Sequence, residues 1–189
     1  VEDYQLECDI NQVGEESVRA KEFIQVIAES QTESLQLYVP KPKNINEILK
    51  PTSGFMYSVT WTSTARKENG GYTSDWVEWC KYEMPQWLTD KGILYKVQPG
   101  ARILNMNTDA NAFAIAKKYG LQSPKNYSDI HTWVQHFPWD DIEDDYDGIH
   151  HVPTGSRLTN MLMSSWDVES TAWFNTNHLA NLGEVRISL

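Results

Sequence analysis

Two kinds of hydrophobic spacing run through this chain, and they do not alternate regularly. From Glu15 to Ser30 the apolar positions Ala20, Phe23, Ile24, Ile27 and Ala28 recur at helical intervals after a break at Gly14. "LQLYV" (35–39), stopped by Pro40 and Pro42, and "FMYSVTWTS" (55–63) are strand-like runs rich in aromatic and β-branched residues, with a helical turn "INEILK" between them. A helix is predicted over "SDWVEWCKYEMPQWL", capped by Ser74 and carrying Asp75 in its first turn. Strands "GILYKV" and "ARILNM" flank a Gln98-Pro99-Gly100 turn, and a helix "TDANAFAIAKKYG" runs from a Thr108 cap to a Gly120 terminator. A poorer helix, "SDIHTWVQHF", follows, and "IHHV", "ESTAWF" and "EVRISL" are the closing strands. The polar "ARKENGGYTS" reads as a flexible loop hinged at Gly70 and Gly71, and the stretch from Pro153 to Trp166 as a long loop. A parallel α/β fold would alternate strand and helix throughout, so this order predicts an α+β domain.

The length of 189 residues and a hydrophobic content of 40% suffice for one core, so a single domain over 1–189 is expected. Its parts are an N-terminal helix at about 15–30 and a main body over about 35–189. A formal net charge of −10 disfavours nonspecific attraction to nucleic-acid phosphates or an anionic membrane. No run of about 18 apolar residues is present, so no membrane-spanning helix is expected. Cys8 and Cys80 lie far apart without metal-ligand spacing and read as thiols. The chain has eight tryptophans, which are expected in the core or along a groove, where each ring N–H needs a partner.

His150 and His151 are adjacent, so on a strand they point to opposite faces and cannot both serve one ion. His131 and His136 are spaced less well than the i, i+4 pair of zinc helices, and no metal site is expected. The acidic run Asp140, Asp141, Glu143, Asp144, Asp145 and Asp147 lacks the alternating ligands of a calcium loop and reads as a solvated face. Phosphate-cradling glycine motifs and the GxSxG elbow are missing. What remains is Asp167 and Glu169, two residues apart at the entrance of an apolar strand and therefore expected on one face. One such carboxylate can stabilise an oxocarbenium-like transition state while it or its neighbour orients the nucleophile, as cleavage of a glycosidic bond requires. The plainer reading makes one a turn cap and the other an exposed acid at a strand edge.

The motif order resembles that of small single-domain ADP-ribosyltransferases of bacteria and phages. The residues that carry the resemblance are Trp61-Thr62-Ser63-Thr64, "SDWVEWC" (74–80), "YDGI" (146–149) and "WDVESTAWF" (166–174). It implies an α+β fold with a split β-sheet core and flanking helices, and transfer of ADP-ribose from NAD, used as substrate without a metal, to a macromolecular acceptor. It implies Glu169 as the catalytic glutamate that stabilises charge as the nicotinamide bond breaks, with Asp167 placed for the acceptor. Thr62, Ser63 and Thr64 match the family's Ser-Thr-Ser element, with Trp61 beside them. The early strand, where the family has Arg or His, offers Tyr38 on the NAD side. Such domains serve as toxins, effectors or phage modifiers and meet immunity or inhibitor partners. That implies action in a cytoplasm, after secretion or within a larger chain. The alternative is a noncatalytic acidic interaction domain that binds a basic protein partner.

Overall fold

The structure, a computed structural model, describes residues 35–39 and 60–189. The expected N-terminal helix, Cys8, the "INEILK" turn and the start of the second strand lie outside the described residues. Within them the chain forms β1 (Leu35–Tyr38), β2 (Thr60–Thr64), β3 (Arg66–Glu68), β4 (Gly71–Thr73) and α1 (Asp75–Glu83). A 3-10 turn (Pro85–Trp87) leads to β5 (Lys91–Val97), β6 (Ile103–Asn105) and α2 (Asp109–Lys118). Then come α3 (Tyr127–Gln135), α4 (Trp139–Asp145), β7 (Gly148–His151), α5 (Arg157–Leu162), β8 (Ser170–Trp173) and β9 (Leu179–Arg186). Helices with a mixed sheet make this an α+β fold: only the β6–β7 pair is parallel in a seven-stranded sheet ordered β6-β7-β8-β2-β1-β5-β9.

Local chemistry explains most of these elements. The Ser74 hydroxyl accepts the Val77 N–H to start α1, and Thr108 and Asn111 exchange the two bonds of a capping box at the start of α2. The predicted loop at 65–74 is instead the hairpin β3–β4: Asn69 and Gly70 take φ of 47° and 77°, the left-handed pair that a tight two-residue turn needs. The predicted loop after Pro153 contains α5, which buries Leu158 and Leu162. The acidic run is α4, with Asp140, Asp141, Glu143 and Asp144 exposed as expected. Asp147, read as part of that solvated face, is buried instead, because the chain turns inward there to begin β7.

Alternation along the strands divides the core between the two sheet faces. Leu104, Ile149 and Ala172 pack with Phe113, Ile130 and Leu158 under α2, α3 and α5, whereas Ile103 and Trp173 pack with Val97 on the other face. A third cluster joins Leu37 and Ile187 to Val77 of α1. Gly148 is required where it stands, since a Cβ there would come within 2.7 Å of the Ala172 carbonyl oxygen on β8.

The feature that shapes the site is an offset in β2. Its first half pairs with β8, Thr62 opposite Thr171, while its second half pairs with β1, Ser63 opposite Leu37 and Thr64 opposite Gln36. Strand β8 starts only at Ser170, so its backbone stops short of Thr64.

Candidate functional site

Glu169 fills the gap that this offset leaves. Its carboxylate accepts the Thr64 N–H at 3.0 Å through Oε2, taking a place in the ladder that the β8 backbone does not reach. The Ser63 hydroxyl lies 2.7 Å from Oε2 and 2.9 Å from the Glu169 carbonyl oxygen, and the Thr64 hydroxyl donates to Oε1 at 2.7 Å. The side chain is buried, and three donors compensate its charge. Trp166 fixes the bend that aims it: its ring N–H donates to the Ser170 carbonyl, and Trp61 meets its ring edge-on at 4.7 Å.

A chain of hydrogen bonds reaches the same carboxylate from the sheet interior. Trp173 Nε1–H donates to the Thr62 hydroxyl at 2.7 Å, and Thr62 donates to Gln36 Oε1 at 2.8 Å. Gln36 Nε2 reaches the Thr64 hydroxyl at 3.4 Å, and that hydroxyl donates to Glu169. Each hydroxyl accepts on one side and donates on the other, and the chain ends on a group that only accepts.

His150 on β7 completes the surroundings, with Nδ1 3.0 Å from Thr171 Oγ1 and 3.4 Å from Glu169 Oε1. Burial pushes its imidazole below the ordinary histidine value, and the Glu169 charge opposes that shift. Burial likewise lowers His151, whose Nδ1 contacts the Met106 carbonyl. The two rings take opposite partners, as adjacent strand positions must.

Asp167 and Glu169 do not share a strand face. They lie on the bend before β8, where Asp167 is exposed and Glu169 is buried, yet both border one open cleft of about 450 Å³. The cleft's other walls come from α1 (Asp75, Glu78, Trp79, Tyr82) and from Val152 and Pro153 after β7. Asp75 pairs with Arg66, and Glu78 pairs with Lys81. Hydrogen bonds from Thr73 and then from Lys81 hold the Glu78 carboxyl below its ordinary value. Trp79 is half-buried and Tyr82 exposed, so aromatic surface stands beside four carboxylates.

The other predicted residues are placed as follows. Ser63 and Thr64 touch Glu169; Thr62 is buried with its hydroxyl engaged by Trp173 and Gln36; Trp61 is half-buried against Trp166; Tyr38 is half-buried on β1. Sequence reasoning did not single out Gln36 or assign His150 to this site. A signal for Gln36 was present, since a polar side chain stands between Leu35 and Leu37 in a strand one position before the residue that opposes Ser63. Among the described residues no group of three or more His, Cys, Asp or Glu side chains is arranged to hold a metal, and no helix is long and apolar enough to cross a membrane. No protein family, curated protein or solved structure matches the chain.

The two buried histidines make stability depend on pH. Their folded values lie below the unfolded one, so the unfolded chain binds protons first. Their contribution is full above about pH 6.5 and is lost as pH falls through the folded values. The melting temperature is therefore expected to fall between about pH 7 and about pH 5, with a shallower slope in His151→Gln. A melting temperature that stays level across that window would contradict this.

Proposed function

We propose that this domain breaks the bond between nicotinamide and ribose in NAD and passes ADP-ribose to a macromolecular acceptor, or to water when none is bound. The C1′–N bond breaks with its electron pair leaving on nicotinamide, the acceptor's lone pair forms the new bond to C1′, and the acceptor's proton goes to solvent. The observation that carries this reading is the Glu169 carboxylate, fixed by Ser63 and Thr64 at the border of an open cleft. A negative charge held rigidly before reaction is what a developing oxocarbenium ion needs, because no reorganisation is then required as charge appears.

Two further features support it. Strands β8, β2 and β1 are neighbours, which brings Glu169, the Thr62–Thr64 element and Gln36 side by side. A late-strand glutamate beside a Ser-Thr-Ser element is what supports reading the sheet as an ADP-ribosyltransferase core. On β1 Gln36 acts on Glu169 through Thr64, and Tyr38 is the residue that the resemblance sets on the NAD side. Trp79 and Tyr82 line the cleft with aromatic surface suited to a planar group such as nicotinamide, and the acidic surroundings favour that ring while it carries its positive charge.

The test is thermal unfolding with NAD, followed by assay of nicotinamide release. Binding to the folded state alone adds about 2.7 kcal/mol at a hundredfold excess over Kd. A rise in melting temperature together with release of nicotinamide is expected. Neither effect at millimolar NAD would sink the proposal and favour the second reading, a noncatalytic acidic domain. The observation behind that reading is the exposed Asp167 beside Tyr82, which is 82% exposed, a surface suited to a basic protein.

A further inference from the structure

We propose that His150 is a positioning residue for Glu169: a neutral imidazole with its proton on Nδ1 sets an N–H edge beside Oε1, and protonating the ring cancels the charge the carboxylate presents to the cleft. The tautomer follows from what surrounds the nitrogen. Nδ1 lies 3.4 Å from a carboxylate oxygen and 3.0 Å from the Thr171 hydroxyl. A bare nitrogen lone pair beside Oε1 would be repelled, whereas an Nδ1–H that donates to the Thr171 hydroxyl turns a positive edge toward the carboxylate.

The consequence for charge follows from proximity and burial. Both side chains are over nine-tenths buried, so their interaction is poorly screened. With a neutral ring the pair carries one negative charge. With a protonated ring it carries none, and a cation forming in the cleft loses its stabilising partner. Thr171 and Glu169 approach the ring from β8 and the bend before it, the buried and uncharged Asn105 lies opposite on β6, and His151 adjoins it on β7. Of these, Glu169 favours the protonated ring, and a charge on His150 opposes one on His151.

The effect on rate rests on the glycosidic reading above, but the tautomer and the charge coupling do not. The experiment therefore has two arms. In the first, imidazole nitrogens are followed by NMR in wild type and in Glu169→Gln while pH is lowered. An Nδ1–H signature at neutral pH is expected for His150, with a titration midpoint that falls in Glu169→Gln. An Nε2–H ring, or a midpoint indifferent to Glu169, overturns the proposal. In the second, nicotinamide release is measured against pH. Wild type is expected to lose activity about tenfold per pH unit below the His150 midpoint. His150→Gln, which keeps an amide donor but cannot titrate, is expected to lack that limb. An unchanged acid limb in His150→Gln overturns the proposal. If wild type releases no nicotinamide at any pH, the proposed reaction fails while the NMR arm still decides the role of His150. If His150→Gln does not fold, the wild-type tautomer and the Glu169→Gln titration decide it.

Discussion

Glu169→Gln is expected to slow nicotinamide release by roughly a hundredfold or more while the protein still unfolds cooperatively. Loss of a preorganised charge opposite a developing cation costs about 3 kcal/mol in the barrier. The structure adds a stability cost that the carboxylate's chemistry alone would not suggest. Glu169 replaces a strand residue in the ladder beside Thr64, so glutamine must turn its carbonyl oxygen toward the Thr64 N–H, which has no other orientation. Its amide nitrogen then faces Thr64 Oγ1, which now donates to Oε1 and would have to rotate to accept. The exchange of a charge-assisted bond for a neutral one should lower stability by about 1 kcal/mol. Assay well below the melting temperature separates the two effects. Release within a few-fold of wild type in the folded variant would remove Glu169 from the mechanism and leave it a ladder-filling role.

That double duty explains how much of the site could be read in the sequence. Spacing alone drew attention to Asp167 and Glu169, and the resemblance added Ser63 and Thr64; the geometry joins three of these four. The shared strand face was misplaced because β8 begins at Ser170, and the start of a strand depends on where its neighbour stops rather than on local propensity. Gln36 and His150 reach the site from strands far away in sequence, and no periodicity within a window of a dozen residues can pair them with Glu169. The longer elements were legible for the opposite reason. Helix α2 carries its own cap and terminator, and β5 and β6 flank a turn that Pro99 and Gly100 announce. The hairpin β3–β4 carried its signal in Asn69 and Gly70, but its first strand is wholly exposed and offered no hydrophobic alternation to confirm it.

Asp147→Ala is expected to cost about 3 kcal/mol of stability, a shift of roughly 150-fold in the folding equilibrium, without altering the chemistry of the cleft. Its buried carboxylate accepts the Arg102 backbone N–H at 2.7 Å and the Asn175 side-chain amide at 2.8 Å. Its own backbone donates to the Arg102 carbonyl and accepts from Phe174. One residue thus ties the entry to β6, the start of β7 and the exit of β8. Alanine leaves the Arg102 N–H and the Asn175 amide without their acceptor in a site too enclosed for full hydration, and each unmet donor costs on the order of 1–3 kcal/mol. Asparagine keeps one acceptor oxygen and should fall between alanine and wild type. The cleft should be spared because Asp147 precedes the far end of β7: Gly148 pairs with Trp173, while His151, three residues on, pairs with Ser170 beside Glu169. That separation is about 10 Å along the strand. Denaturant unfolding gives the stability and NAD binding at low temperature gives the state of the cleft. Asp147→Ala as stable as wild type would mean that the carboxylate is not what joins these strands.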